Sequence, residues 1–192
     1  MIQLETVVIS ANKNETNRLE APIVVHVMTP KLFENTNSVC LAQGLSFQPG
    51  LRVETNCQNC GFQQVRINGL DGPYTQLLLD GKALFSSLNG VYGIEQIPTG
   101  MIERVEVMRG GGSALYGANA IGGTVNIITK EPLNNLFMIS HNLTAIGNSA
   151  YDNTTSLNTS LVNSQRDAGI YLFGTSRHRQ HYDHDGDHFS EI

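Results

Sequence analysis

Three stretches of the sequence carry residue types that could do chemistry. In MRGGGSALYGANAIGGTVNIITK, residues 108–130, glycines cluster between Gly110 and Gly123. A phosphate-cradling loop needs a lysine and then Ser or Thr directly after its last glycine, the lysine for charge and the hydroxyl for Mg²⁺. The last glycine here runs into Thr124, Val125 and Asn126, so the glycines read as tight turns and close backbone packing between two strands. In ETNCQNCGF, Cys57 and Cys60 have CxxC spacing, with Cys40 upstream. A structural zinc site needs four soft ligands, and no second CxxC or HxxxH follows at a suitable distance, so a disulfide and inert thiols stand ahead of a metal site.

The third stretch is RHRQHYDHDGDHFSEI. It sets Asp183, Asp185 and Asp187 at alternate positions around Gly186, a spacing that converges carboxylates on a hard cation such as Ca²⁺. A plain solvated acidic loop is the competing reading. His178, His181, His184 and His188 surround the aspartates, and imidazoles prefer zinc, copper or haem iron. Haem capture by one of these histidines or by Tyr182 is therefore a further alternative. No GxSxG, no HExxH and no cysteine with an evident histidine base occurs, so the chain is not expected to be an enzyme.

Elements that would position these groups follow from periodicity. LETVVISANK and APIVVHVMT are short β-branched runs bounded by turn formers. In KLFENTNSVCLAQGLSFQPG, apolar residues recur at spacings of three and four, which predicts short helix; Asn37 or Ser38 caps its second half, and Pro49 with Gly50 stops it. LRVETN, FQQVRINGL, TQLLLDGKALF, IERVEV and TVNIIT then read as strands separated by turn signals at Asp71-Gly72-Pro73 and Asp80-Gly81. Residues 1–132 form on this reading an α+β unit with a mixed sheet of about four strands. The pattern changes after Pro132. LFMISHNLTAI and two further segments, 153–162 and 169–178, are amphipathic runs of about ten residues, the length of a membrane-barrel strand. In the first, Phe137, Ile139, Leu143 and Ala145 share a face interrupted by His141. Three strands cannot close a barrel, and an open edge is an aggregation hazard, so the chain reads as the beginning of a longer protein.

Composition narrows the classes. Of the 192 residues, 40% are apolar, enough for a core. A net charge of −5 with only 12 Lys and Arg shows no basic face for nucleic acid. No run of 18 apolar residues suggests a membrane helix, and Met1 opens onto IQLETVVIS without a leader pattern; the protein is either cytosolic or the start shown is not that of the gene product.

Several motifs together resemble one family. LAQGLSFQPGLRV, VRINGLDGPYTQLLLDGKAL and IERVEVMRGGGSALYGANAIGGTVNIITK are similar to the plug domain of TonB-dependent outer-membrane transporters, followed by the first strands of their barrel. The resemblance implies a TonB box and linker at 1–20, a plug at 21–132 and incomplete barrel strands at 133–192. ETVVISANK resembles a TonB box, above all that of the vitamin B12 transporter subgroup, which makes Glu5, Thr6, Val7, Val8 and Ile9 the segment that docks on periplasmic TonB by strand addition. An ordinary first strand is the alternative. Plug apices facing outward contribute to ligand contact in the family; here Tyr74, Phe85 and Tyr92 are the candidates, able to stack on a flat macrocycle. The acidic loop resembles the calcium-binding loop of the vitamin B12 transporter, so Ca²⁺ is the one cofactor implied, and none is required. An oxidising periplasmic setting predicts a Cys57–Cys60 disulfide, with Cys40 to either as the competing arrangement. The implied function is import of a corrinoid, with haem or a ferric siderophore as alternative cargo. Implied partners are TonB, outer-membrane lipid and a surface lipoprotein. A non-transporting surface adhesion module is the competing class, and it would have no use for an amino-terminal strand donor.

Overall fold

The computed structural model describes residues 8–9, 16–17, 24–55, 63–84, 93–110, 116–147, 149–186 and 188. A two-residue strand β1 (Val8–Ile9) pairs antiparallel with β2 (Thr16–Asn17). Strand β3 (Val25–Met28) leads into helices α1 (Pro30–Asn35) and α2 (Leu41–Leu45), then into the hairpin β4 (Leu51–Thr55) and β5 (Gln63–Ile67). Next come β6 (Thr75–Leu79), β7 (Lys82–Ala83), β8 (Ile102–Arg109) and β9 (Gly123–Thr129). Long strands β10 (Leu136–Ile146), β11 (Ala150–Val162) and β12 (Gly169–Arg179) complete the described chain.

A five-stranded sheet in the order β3-β8-β9-β6-β7 forms the centre of the first part, one strand more than the sequence reading because the two-residue β7 adds an edge. It is a mixed sheet, since β6 and β9 run parallel while β8 is antiparallel to β9. Leu77, Ile102, Val105, Val107, Val125 and Ile127 build its core with Phe33 of α1 and Leu41 and Leu45 of α2. Pro30, at the first turn of α1, lacks an N–H that would go unpaired there anyway. The expected cap at Asn37 or Ser38 is not what starts α2. Cys40 occupies the cap position without a side-chain bond, Asn37 takes a left-handed φ of 50°, and Gln43 Oε1 accepts the Val39 N–H at 2.8 Å. The helix reaches back for its own unpaired donor.

Gly123 explains one glycine of the rich stretch. Its φ is +144°, and a Cβ there would stand 2.2 Å from the Met108 carbonyl oxygen. Only a residue without a side chain lets β8 and β9 approach at this point. Residues 111–115 lie outside the described residues.

The three long strands form a separate antiparallel sheet, β10-β11-β12. Along β11 the side chains alternate: Ala150, Asp152, Thr154, Asn158 and Ser160 are buried, while Tyr151, Leu157 and Leu161 are exposed. Register places Phe137, Ile139 and Leu143 of β10 and Ile170 and Leu172 of β12 on the face of Leu157 and Leu161. One face is thus apolar and exposed; on the other, Asp152, Thr154, Asn158 and Ser160 are buried, and Leu136, Met138 and Phe173 remain exposed. β11 begins at Ala150, three residues earlier than its polar start suggests, because register with β10 and β12 pairs Asp152 rather than leaving it in a turn.

Candidate functional site

The two parts meet where residues 93–101 pass along the inner face of β11 and β12. Backbone bonds fix this segment to α2: the Leu41 N–H donates to Ile97 O at 2.9 Å and the Ala42 N–H to Ile94 O at 3.3 Å, while Thr99 Oγ1 donates to Ser38 O at 3.1 Å. Ile94 is fully buried, so Glu95 beside it is held at a defined place. Glu95 Oε1 lies 3.6 Å from Arg177 Nη1 and 3.5 Å from Arg179 Nη2. Both guanidiniums also bind Asp152 of β11: Arg177 Nε at 3.0 Å and Nη2 at 2.5 Å, Arg179 Nε at 3.1 Å. Two cations therefore share two carboxylates, one from each side of the junction.

Further along the junction, Tyr171 Oη donates to Gly100 O at 2.8 Å. Asn158 packs on Gly100 so closely that a Cβ would meet its side-chain amide at 2.7 Å. Between these ties lies a cleft of about 420 Å³, lined among others by Val39, Cys40, Pro98, Thr154 and Thr175. Cys40 is a free, buried thiol with Arg177 Nη1 at 3.9 Å. Burial pushes its pKa up, against opposing effects of the Gln43 backbone and the Arg177 charge. The competing disulfides through Cys40 are thus not formed in this structure. Cys57 and Cys60 lie outside the described residues.

Among residues predicted from sequence, Glu5, Thr6, Val7, Phe85, Tyr92 and Asp187 also lie outside the described residues. The backbone of Val8 and Ile9 is extended, as a strand donor requires. Tyr74 is half-exposed beside Gly122, whose N–H donates to Tyr74 O at 2.8 Å. Asp183 accepts N–H bonds from Gly186 at 2.6 Å and His188 at 2.9 Å, which close the loop's turn. Tyr182 Oη and His184 Nδ1 are 3.2 Å apart. Among the described residues no three His, Cys, Asp or Glu side chains come together to hold a metal.

Both halves of this arrangement, a mixed sheet and a three-stranded antiparallel wall, have known counterparts. Residues 17–124 match the family described as TonB-dependent Receptor Plug Domain. The chain belongs to this family. Its members are outer-membrane proteins. The chain is 35% identical over 127 residues to the vitamin B12 transporter BtuB of Vibrio vulnificus, covering 66% of this chain and 21% of that protein. It is 31% identical over 126 residues to BtuB of Vibrio cholerae, covering 66% of this chain and 21% of that one. The chain thus spans about a fifth of the length of the curated relatives it matches. Among solved structures, the siderophore receptor PirA from Acinetobacter baumannii superposes with a TM-score of 0.67 at 25% identity, over 83% of this chain and 25% of PirA. The P. aeruginosa receptor FpvA, at 18% identity and a TM-score of 0.68 over 91% of this chain and 22% of that one, shares the fold.

The plug–wall contacts escaped the sequence reading. Glu95 and Arg179 are 84 residues apart, and neither sits in a motif. The available signal was an arginine pair at alternate positions in a strand whose partner carries a lone Asp152.

Proposed function

We propose that this chain is the plug and first barrel strands of an importer that takes up a corrinoid across the outer membrane, energised through periplasmic TonB. The observation that carries the reading is the 35% identity over 127 residues to a vitamin B12 transporter. In this division residues 1–20 are TonB box and linker, 21–132 plug, and 133–192 barrel strands. The plug blocks the lumen. Glu5 to Ile9 add a strand to the edge of TonB's sheet, with affinity from main-chain hydrogen bonds. The pairing of β1 with β2 spans only two residues, and so short a ribbon exchanges its partner at little cost. Pull on that strand then draws the plug from the wall. Tyr74, Phe85 and Tyr92 offer aromatic faces to the corrin ring, and the Asp183–Asp187 loop, ordered by Ca²⁺, supports the substrate surface. No step calls for bond-making chemistry by the chain.

The similarity to PirA, named as a siderophore receptor, favours a second reading in which the cargo is a ferric siderophore. Haem is the third cargo, through Tyr182 and His184. Equilibrium binding of cyanocobalamin, haem and ferric catecholates to the receptor in detergent separates them. The corrinoid reading expects saturable cobalamin binding strengthened by calcium and none for the other two. Tight binding of a ferric chelate without cobalamin binding would replace it with the siderophore reading.

A further inference from the structure

The junction at Glu95 has the construction of a release point. We propose that Glu95 is a catch that holds the 93–101 segment of the plug to the wall at Arg177 and Arg179, and that the plug parts from the wall there first. This rests on the transport reading, in which the plug must move.

Bond lengths rank the contacts. Each arginine makes its shorter bonds to Asp152, at 2.5–3.1 Å, and its longer ones to Glu95, at 3.5–3.6 Å. Asp152 belongs to the wall and Glu95 to the plug. A pull across the junction therefore breaks the Glu95 contacts, and the guanidiniums stay where Asp152 holds them. Charge then favours reclosure. Closed, two guanidiniums face two carboxylates; open, Asp152 alone faces both arginines and the wall is left with one uncompensated positive charge. A partly exposed ion pair of this kind is weak enough to break under load and strong enough to bias the closed state. The wall's side of the rest of the contact is polar too, through Thr154, Thr175, Asn158 and the Tyr171 hydroxyl, and faces Val39, Cys40 and Pro98 of the plug.

Cys40 lies behind the catch as a built-in reporter. It lines the same cleft, is only 3% exposed, and its thiol pKa is raised by burial, so alkylation is slow while the junction is closed. The test is the rate of Cys40 alkylation by a maleimide in the full receptor in membranes, read at the Cys40 peptide by mass spectrometry so that Cys57 and Cys60 do not contribute. Because the Glu95 charge also helps raise the Cys40 pKa, the rate is compared per thiolate from a pH series in each variant; on that scale Glu95→Gln should raise it roughly fivefold by weakening two partly exposed ion pairs. Arg179→Gln, which removes one of the two Glu95 contacts, should raise it less, and the double variant no more than Glu95→Gln alone. Glu34→Gln, an exposed glutamate on α1, should leave the rate unchanged. An unchanged rate in Glu95→Gln, additive effects in the double variant, or a rate equal to that of the urea-unfolded protein would each overturn the catch. The readout uses no substrate, so an error about the cargo leaves the test intact.

Discussion

The plug sheet and the barrel wall are both strands of period two, yet only the plug sheet buries a large apolar core, beside polar residues such as Glu106 and Asn126. In the plug, Leu78, Ile102 and Ile127 are at 0% exposure and the apolar faces turn inward. In the wall, Phe137 at 68% and Leu172 at 56% turn outward, while Asp152, Thr154 and Ser160 are buried. Alternation gives the strand; the solvent on each side gives the sign of the pattern. One surface excludes water from a core; the other turns apolar side chains outward and carries polar groups inside. Where the two meet, polar groups face polar groups, and a few separable bonds do what a core does elsewhere.

Substitutions can break this contrast, and the largest effect belongs to the plug core. Ile127→Ala should cost roughly 2–5 kcal/mol by leaving a cavity in the sheet's packed face. Leu161→Ala, outward on the wall, should change stability far less, and denaturant unfolding in detergent micelles compares the two. Next, Leu172→Arg should cost about 2–4 kcal/mol of membrane insertion at mid-bilayer depth, seen as less folded receptor in the outer membrane. If Leu172→Arg inserts normally, the outward face does not meet lipid.

Much of this contrast was legible before any coordinates. Strand periodicity placed β10 to β12 and the apolar face of β10, since a run of alternating residues specifies its own faces. The glycine-rich stretch was read as close backbone packing, and Gly123 against the Met108 carbonyl is that packing. Other features depend on partners distant in sequence. Glu106 sits in IERVEV as an ordinary polar alternate, yet it is fully buried beside Arg104, with Oε1 accepting from Nε at 2.8 Å. Gly100 lies in no motif that the sequence singles out, yet the Asn158 side chain of β11 is set against it. The α2 start went to Gln43 because that side chain accepts the Val39 N–H, a choice that competes locally with Asn37 and Ser38 and is settled by the tie to residues 94–97.

Smaller effects sharpen the comparison. Gly123→Ala should destabilise the plug by roughly 1–3 kcal/mol, since it forces a Cβ against a carbonyl at a strained φ; thermal unfolding reads it. The cysteines should differ by region as well. Alkylation of the unreduced, unfolded protein should label Cys40 alone, with Cys57 and Cys60 joined, and three labelled thiols would remove that disulfide. In the folded protein the raised Cys40 pKa keeps the thiolate scarce near neutrality, so its labelling should accelerate only as pH rises above the ordinary thiol range.

The most direct test of the transporter account is uptake against binding in cells carrying Val8→Pro. Proline removes a strand N–H and fixes φ, so the segment can no longer complete a partner's sheet. The account predicts that radiolabelled cobalamin still binds at parental affinity at the cell surface while energised uptake falls to background. Uptake at the parental rate, or binding and uptake lost together, would contradict it.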